Sequence, residues 1–167
     1  SVTVDGDVDS TNIDFMLVKN LLPTLRNIPD VTLTDDQSVL RIELKGITAG
    51  ANEEQPLSVS VGSTNSELFA DLRVDYQSPD PIGALIVSPT EGQFGRSVIT
   101  VTVTDGGEDN DLNTSADNKT ASVSFNYIVT EVNNQPTLDS LSDVNVSENA
   151  AEQTVNLAGI TAGPEES

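Results

Sequence analysis

The chain has 167 residues and a formal net charge of −20, because 27 Asp and Glu residues stand against seven Lys and Arg. A surface this acidic repels nucleic acid and anionic membranes and attracts cations. Cys, His and Trp are absent, which excludes disulfides, thiolate zinc sites and His-based catalysis, and no apolar run of about 18 residues is present for membrane insertion.

A long internal repeat organises the chain. Residues 23–54 occur again, without a gap, as residues 136–167 at an offset of about 113 residues. The block GITAG is identical in the two copies. A period of this size is typical of tandem domains rather than of a solenoid. We therefore predict the C-terminal strands of a preceding repeat (1–21), one complete repeat (22–135) and the N-terminal strands of a following repeat (136–167), and we expect the chain to be a fragment of a longer protein.

Apolar residues alternate with polar ones through the complete repeat, and this period of two predicts strands. The predicted strands are 24–34, 39–47, 57–62, 67–77, 82–87, 97–105 and 120–131. On the fourth, the alternation places Leu68, Ala70 and Leu72 on one face. In the GITAG turn we expect Ile47 to lie in the core and the glycines to adopt unusual φ angles.

The short strands and the turn residues between them predict an all-β fold. The expected architecture is a seven-stranded antiparallel Greek-key sandwich, present in tandem. Since there is no disulfide, aliphatic packing has to supply the core.

Three stretches carry a resemblance to a known family. VTVTDGG (101–107), VTEVNNQPTL (129–138) and GITAG followed by acidic residues and LSVSV resemble the cadherin-like and immunoglobulin-like tandem repeats of large bacterial surface and secreted proteins. The resemblance implies an extracellular or cell-surface β-sandwich module, often calcium-binding, in adhesins, fibres or stalks. The linker residues Asn133, Asn134 and Pro136 correspond to the family's VND-x-PT linker but lack its Asp.

Acidic loops supply the candidate metal ligands, because calcium prefers six to eight oxygen ligands. The candidates are Asp5, Asp7 and Asp9 in the first cluster, Asp105, Glu108, Asp109 and Asp111 in the second, and Asn52, Glu53 and Glu54 in the third. We expect the second and third clusters to meet at one end of the sandwich. Asp35 and Asp36 are expected at the other end, where they would face the next repeat. Solvated loops that only keep the protein soluble are the alternative.

These observations predict a non-catalytic structural repeat, a stalk, spacer or fibre element that calcium rigidifies at domain junctions. The alternative is an adhesin module that binds glycan or protein through its acidic loops. An enzyme is not expected, since no His activates a Ser and few aromatic residues are present to stack a sugar. The predicted partners are neighbouring repeats, together with self-association through the strand edges of 1–21 and 136–167, and neither nucleic acid nor membrane insertion is expected.

Overall fold

The computed structural model describes residues 20–163, and this part of the chain is built from strands, loops and one 3-10 turn. Within it, no helix has the length and apolar character needed to cross a membrane. The elements in chain order are β1 (Val31–Thr34), β2 (Leu40–Lys45), β3 (Leu57–Ser63), the 3-10 turn Ser66–Leu68, β4 (Phe69–Asp75), β5 (Ile82–Pro89), β6 (Gly95–Asp105) and β7 (Thr120–Thr130).

The strands form two sheets, with the orders β1-β7-β6-β3 and β2-β5-β4. Their inner faces enclose a core that includes Leu44, Leu85, Ile99 and Tyr127. The predictions of an all-β chain and of two sheets are therefore confirmed. The Greek-key connections and the tandem arrangement remain predictions.

The prediction of wholly antiparallel pairing is wrong at the first strand. β1 runs parallel to β7, from the pair Val31↔Tyr127 to the pair Thr34↔Thr130. Before Pro29 the chain follows the β2 side instead, because Arg26 N donates to Lys45 O at 2.9 Å. Proline has no N–H to continue such a ladder, and after it the chain crosses to the other sheet and joins β7 in the same direction.

The alternation of buried residues is confirmed on β6 and β7 but breaks on β4. The register shifts between Phe69 and Asp71, which is the signature of a β-bulge. As a result Phe69 packs against the core, 5.0 Å from Tyr127 between ring centroids, whereas Ala70 is exposed. The prediction that Ala70 faces inward is wrong, because the bulge takes Ala70 out of the alternation, whereas Leu68 is buried and Leu72 packs against the core as predicted.

The sandwich has two ends, which we name by the loops that lie there. The proximal end carries the β2–β3 loop (46–56) and the β6–β7 loop (106–119), since Leu57 pairs with Asp105 and Thr104 with Thr120. The distal end carries the β1–β2 loop (35–39) and the end of β7. The described chain begins at the proximal end with Asn20 and leaves β7 at the distal end with Thr130.

The GITAG turn adopts the predicted conformation. Ile47 is buried, with 1% of its surface exposed, and Gly46 has a φ of 70°. An added Cβ at Gly46 would lie 2.8 Å from Cγ of Arg26. Both the backbone angle and the close approach therefore require glycine.

Candidate functional site

The proximal end brings together two of the predicted acidic clusters. Loop β2–β3 and loop β6–β7 border one open cavity of about 570 Å³. Its lining residues are Asn52, Glu53, Glu54, Gln55, Gly107, Glu108 and Asn110. Glu108 of the second cluster thus lines the same cavity as Asn52, Glu53 and Glu54 of the third, at the end where the described chain begins.

Glu53 binds the backbone of the linker residue Leu21 at this end. Its two carboxylate oxygens accept the backbone N–H of Leu21 at 2.8 and 3.1 Å. Gly50 makes room for this contact, since an added Cβ there would lie 2.6 Å from a Glu53 oxygen. Glu53 therefore has a structural partner in the linker and does not simply point into solvent.

Asp105, the last residue of β6, is completely buried. Its Oδ1 atom accepts the backbone N–H groups of Lys119 at 2.8 Å and Gly107 at 3.1 Å, and the Asn20 amide nitrogen lies 3.5 Å away. Its Oδ2 atom has no hydrogen-bond partner. No ion pair within residues 20–163 includes Asp105, so hydrogen bonds to Oδ1 alone hold this carboxyl group.

Asn20 is a linker residue that the sequence reasoning did not select. It is 3% exposed, and its amide donates to the backbone oxygen of Asp117 at 2.7 Å. Its own backbone oxygen accepts the ammonium of Lys119. The signal that could have found it is the repeat, because Asn20 occupies the position in the first linker that the predicted residue Asn133 occupies in the second.

The remaining carboxylates of the second cluster bond mainly within their own loop. Asp109 accepts the Asp111 backbone N–H at 2.9 Å and the Thr114 hydroxyl at 2.5 Å. The Thr114 bond first, and then the backbone bond, lower the pKa of Asp109 below its usual value. Asp111 accepts both the backbone and the amide N–H groups of Asn113. These hydrogen bonds stabilise the conformation of the β6–β7 loop.

The other predicted ligands lie elsewhere. Asp35 and Asp36 are at the distal end, where Asp35 accepts the Val132 N–H at 3.1 Å and Asp36 accepts the Thr34 hydroxyl at 2.5 Å. Asp5, Asp7 and Asp9 fall outside the described residues. Between residues 20 and 163, no group of three or more carboxylates is placed to hold a metal ion. A cation at the proximal end would therefore need amide oxygens as well.

The chain thus forms a two-sheet β-sandwich with a cavity at its proximal end that Glu, Asn and Gln side chains line. No protein-family model matches the sequence, and no curated protein matches it. Among solved structures, the titin domains Z1Z2 in complex with telethonin match with 14% sequence identity and a TM-score of 0.39. The match covers 74% of this chain and 55% of the titin chain.

Proposed function

We propose that the chain is a segment of an immunoglobulin-like tandem array, a non-catalytic spacer or stalk of an extracellular or cell-surface protein. The observation that carries this proposal is that residues 136–163 repeat the bridge and the turn of residues 23–50, after the first sandwich ends. The family resemblance of the linker and of the GITAG turn supports the location and the role.

The local hydrogen bonds of the first copy recur in the second at the same offset. Thr24 bridges Thr48, and its hydroxyl donates to Gly46 O at 2.7 Å. In the second copy, Thr137 bridges Thr161, and its hydroxyl donates to Gly159 O at 2.8 Å. Gly46 and Gly159 have φ angles of 70° and 66°. The second copy therefore repeats the bridge and the glycine turn of the first.

The apolar positions show what the second copy lacks. In the first copy four of them belong to the core, namely Ile28, Leu33, Leu44 and Ile47, and three partly buried ones pack against it, namely Leu25, Val31 and Ile42. Their counterparts in the second copy are all exposed, by 46% to 66%: Leu138, Leu141, Val144, Val146, Val155, Leu157 and Ile160. Burial of one such side chain stabilises a fold by roughly 1.5–3 kcal/mol. Strands equivalent to β5 and β7 of a further repeat would supply that burial.

A polar contact between the first copy and β7 involves a residue that the second copy also has. Asp30 accepts the backbone N–H of Asn126 on β7 at 2.8 Å and its amide N–H at 2.7 Å. The same Asn126 accepts the guanidinium of Arg96. Asp143 occupies the position of Asp30 in the second copy, so it is suited to make this contact with a following repeat.

The direction of the chain favours a spacer. The described chain enters the sandwich at the proximal end with Asn20 and leaves β7 at the distal end with Thr130, so successive repeats would be joined end to end. β6 has 11 residues, and at about 3.3 Å per residue each repeat would add roughly 35 Å to the array. The net charge of −20 would keep such an array soluble, and calcium at the junctions would stiffen it.

The experiment extends the chain by its own sequence. Residues 51–135 are appended directly after residue 163, which supplies the second copy with the strands that it lacks. We expect a second cooperatively folded sandwich, loss of binding of a hydrophobic dye, and an increase of about 35 Å in the maximum dimension from small-angle X-ray scattering.

The matched control is the same extension with Leu157→Asp, which places a charge at a position equivalent to the buried Leu44. It should leave the first sandwich folded and the appended strands unfolded. The proposed spacer function would be refuted if the extension without this substitution stays unfolded. It would also be refuted if the extension folds back on the first sandwich and the maximum dimension does not increase.

A further inference from the structure

β3 is an edge strand of regular form. It ends the four-stranded sheet, and within residues 20–163 it pairs with β6 alone, in an unbroken register from Leu57↔Asp105 to Ser63↔Ile99. Its sequence, LSVSVGS, has no charged residue and no proline. Such an edge exposes backbone groups to which another strand can be added, and most proteins protect their edges against this addition.

The other edges of the sandwich are interrupted or protected. On the opposite edge of the same sheet, β1 pairs with the distal end of β7 and Asp30 accepts the N–H of Asn126, so an added strand would have to end there. In the second sheet, β4 contains the register shift between Phe69 and Asp71, and the N–H of Arg26 donates to the end of β2. Both strands also carry charged side chains. Among residues 20–163, β3 is the edge that stays open along most of its length.

Hydrogen bonds at the two ends of β3 fix which backbone groups face outward. Thr64 N donates to Val98 O on β6 at 3.1 Å, whereas Leu57 N donates to Ser78 Oγ at 2.9 Å. Backbone groups alternate between the two sides of a strand, and Leu57 and Thr64 are an odd number of positions apart, so Leu57 faces away from β6. The residues that share this outward direction are Val59, Val61 and Ser63.

The charge of the chain favours another molecule of the same chain at this edge. Two molecules with a net charge of −20 each repel one another, so they associate most readily through a surface that carries few carboxylates. The outer face of this sheet is such a surface, because hydroxyl groups line it: Thr100 bonds to Ser124 and Thr102 to Ser122, both at 2.8 Å. Ser60 of β3 lies beside Thr102 in the same row. The partner's β3 would bring an equally uncharged surface.

We propose that β3 pairs with β3 of another molecule of this chain, antiparallel and about a twofold axis at Ser60. Ser60 is the middle residue of the strand, so this register overlaps its whole length. The N–H groups of Val59 and Val61 in one molecule would donate to the C=O groups of Val61 and Val59 in the other. On the outer face, Ser60 would lie opposite its own counterpart and Ser58 opposite Gly62, and these residues are small and uncharged.

The pairing goes beyond the spacer function, because it would join neighbouring arrays along their sides. Two four-stranded sheets would become one continuous sheet. Strands related by this axis run in opposite directions, so the proximal end of one sandwich would lie beside the distal end of the other. The proposal concerns one sandwich in each molecule, and it stands whether or not a further repeat completes residues 136–163.

Sedimentation equilibrium of the full chain, from about 10 µM to about 1 mM, tests the pairing. We expect a monomer–dimer equilibrium with a Kd of about 10⁻⁴ M, because a contact along one strand edge is smaller than a standard interface. Dimers should be more stable in 0.5 M than in 0.05 M salt, since salt screens the repulsion between the two molecules. In nuclear magnetic resonance spectra, the amide signals of Val59 and Val61 should shift with concentration, and those of Ser58 and Gly62, which face β6, should shift less.

Ser60→Lys tests the position of the axis. It should weaken dimerisation at least about tenfold, because two lysines would lie directly opposite each other, even though the substitution reduces the net negative charge. Ser122→Lys is the matched control, since Ser60 and Ser122 flank Thr102 in one row and the charge change is the same. It lies on β7, so it should dimerise like the unmodified chain. Val61→Pro removes an outward N–H without a change of charge, which an edge strand tolerates, and it should also weaken dimerisation.

Urea denaturation shows whether each variant is folded, and Ser60→Lys decides the question if Val61→Pro does not fold. The proposal is overturned if the unmodified chain stays a monomer up to about 1 mM. Equal dimerisation of Ser60→Lys and Ser122→Lys would overturn it as well, because association would then involve another surface, such as the exposed apolar residues of 136–163. A loss of dimers in Ser122→Lys alone would assign the contact to the opposite edge and reject β3.

Discussion

Two leucines at equivalent positions of the repeat provide a direct test of what is folded in this chain. Leu44 in the first copy is completely buried between the sheets, whereas Leu157 in the second copy is 55% exposed. The same substitution at both positions removes the same atoms from two different environments. The difference between the two effects therefore measures packing rather than residue type.

We expect Leu44→Ala to lower the free energy of unfolding by about 3 kcal/mol, because a cavity remains where the buried side chain was. Leu157→Ala should change it by less than about 0.5 kcal/mol, as is usual for exposed positions. Urea denaturation followed by circular dichroism measures both. With a slope of about 2 kcal/mol per M of urea, the midpoint should fall by about 1.5 M for Leu44→Ala and stay nearly constant for Leu157→Ala.

The extended chain then provides the internal control. Once residues 51–135 are appended after residue 163, Leu157→Ala should destabilise the second sandwich by about as much as Leu44→Ala destabilises the first. A large effect of Leu157→Ala in the original chain would show that the second copy is already packed, and the reasoning from its exposed apolar residues would be refuted.

Three further predictions concern the backbone and the titrating groups. Gly46→Ala should lower the free energy of unfolding, measured by urea denaturation, by about 1–2 kcal/mol, because Gly46 has a positive φ and an added Cβ would lie close to a neighbouring side chain. At Gly62 an added Cβ meets no atom within 4 Å, so Gly62→Ala should lower it by less than about 1 kcal/mol. Hydrogen bonds from Asn126 on β7 lower the pKa of Asp30. The ionised form of Asp30 therefore stabilises the fold above the ordinary carboxyl pKa, and this contribution is lost as the pH falls through the lowered value. The Asp30→Asn variant should be less stable than the unmodified chain at pH 7 and equally stable near pH 2. Burial raises the pKa of Tyr127 to about 12, so the fold should lose stability as the pH rises from about 10 towards that value, and tyrosinate absorbance should appear at lower pH in urea than in buffer.

Much of the fold could be predicted because one physical rule governs most of it. A strand with one buried face alternates apolar and polar residues, and β6 and β7 follow this rule along their whole length. The parallel pairing of β1 could not be predicted in this way, since alternation states which face is buried but not which neighbour pairs with the strand. The bulge at Ala70 could not be predicted from the sequence either, because one inserted residue leaves the local composition unchanged.

The site was only partly predictable for a related reason. Asp105 and the acidic loops stand out by charge, and the structure brings those loops to one end. Asn20 and Gln55 carry no charge and follow no ligand spacing, so their sequence context is that of ordinary loop amides. Their burial, which depends on contacts with residues far away in the chain, is what distinguishes them.

The parallel pairing of β1 with β7 has a mechanical consequence. Both strands run towards the distal end, but β1 is joined to the chain that arrives at the proximal end and β7 to the chain that leaves at the distal end. A force that pulls the two ends apart would therefore slide β1 along β7 and load the pairs from Val31↔Tyr127 to Thr34↔Thr130 together. A hairpin pulled from its open end would instead separate one pair at a time. Resistance to stretching thus follows from the crossing at Pro29.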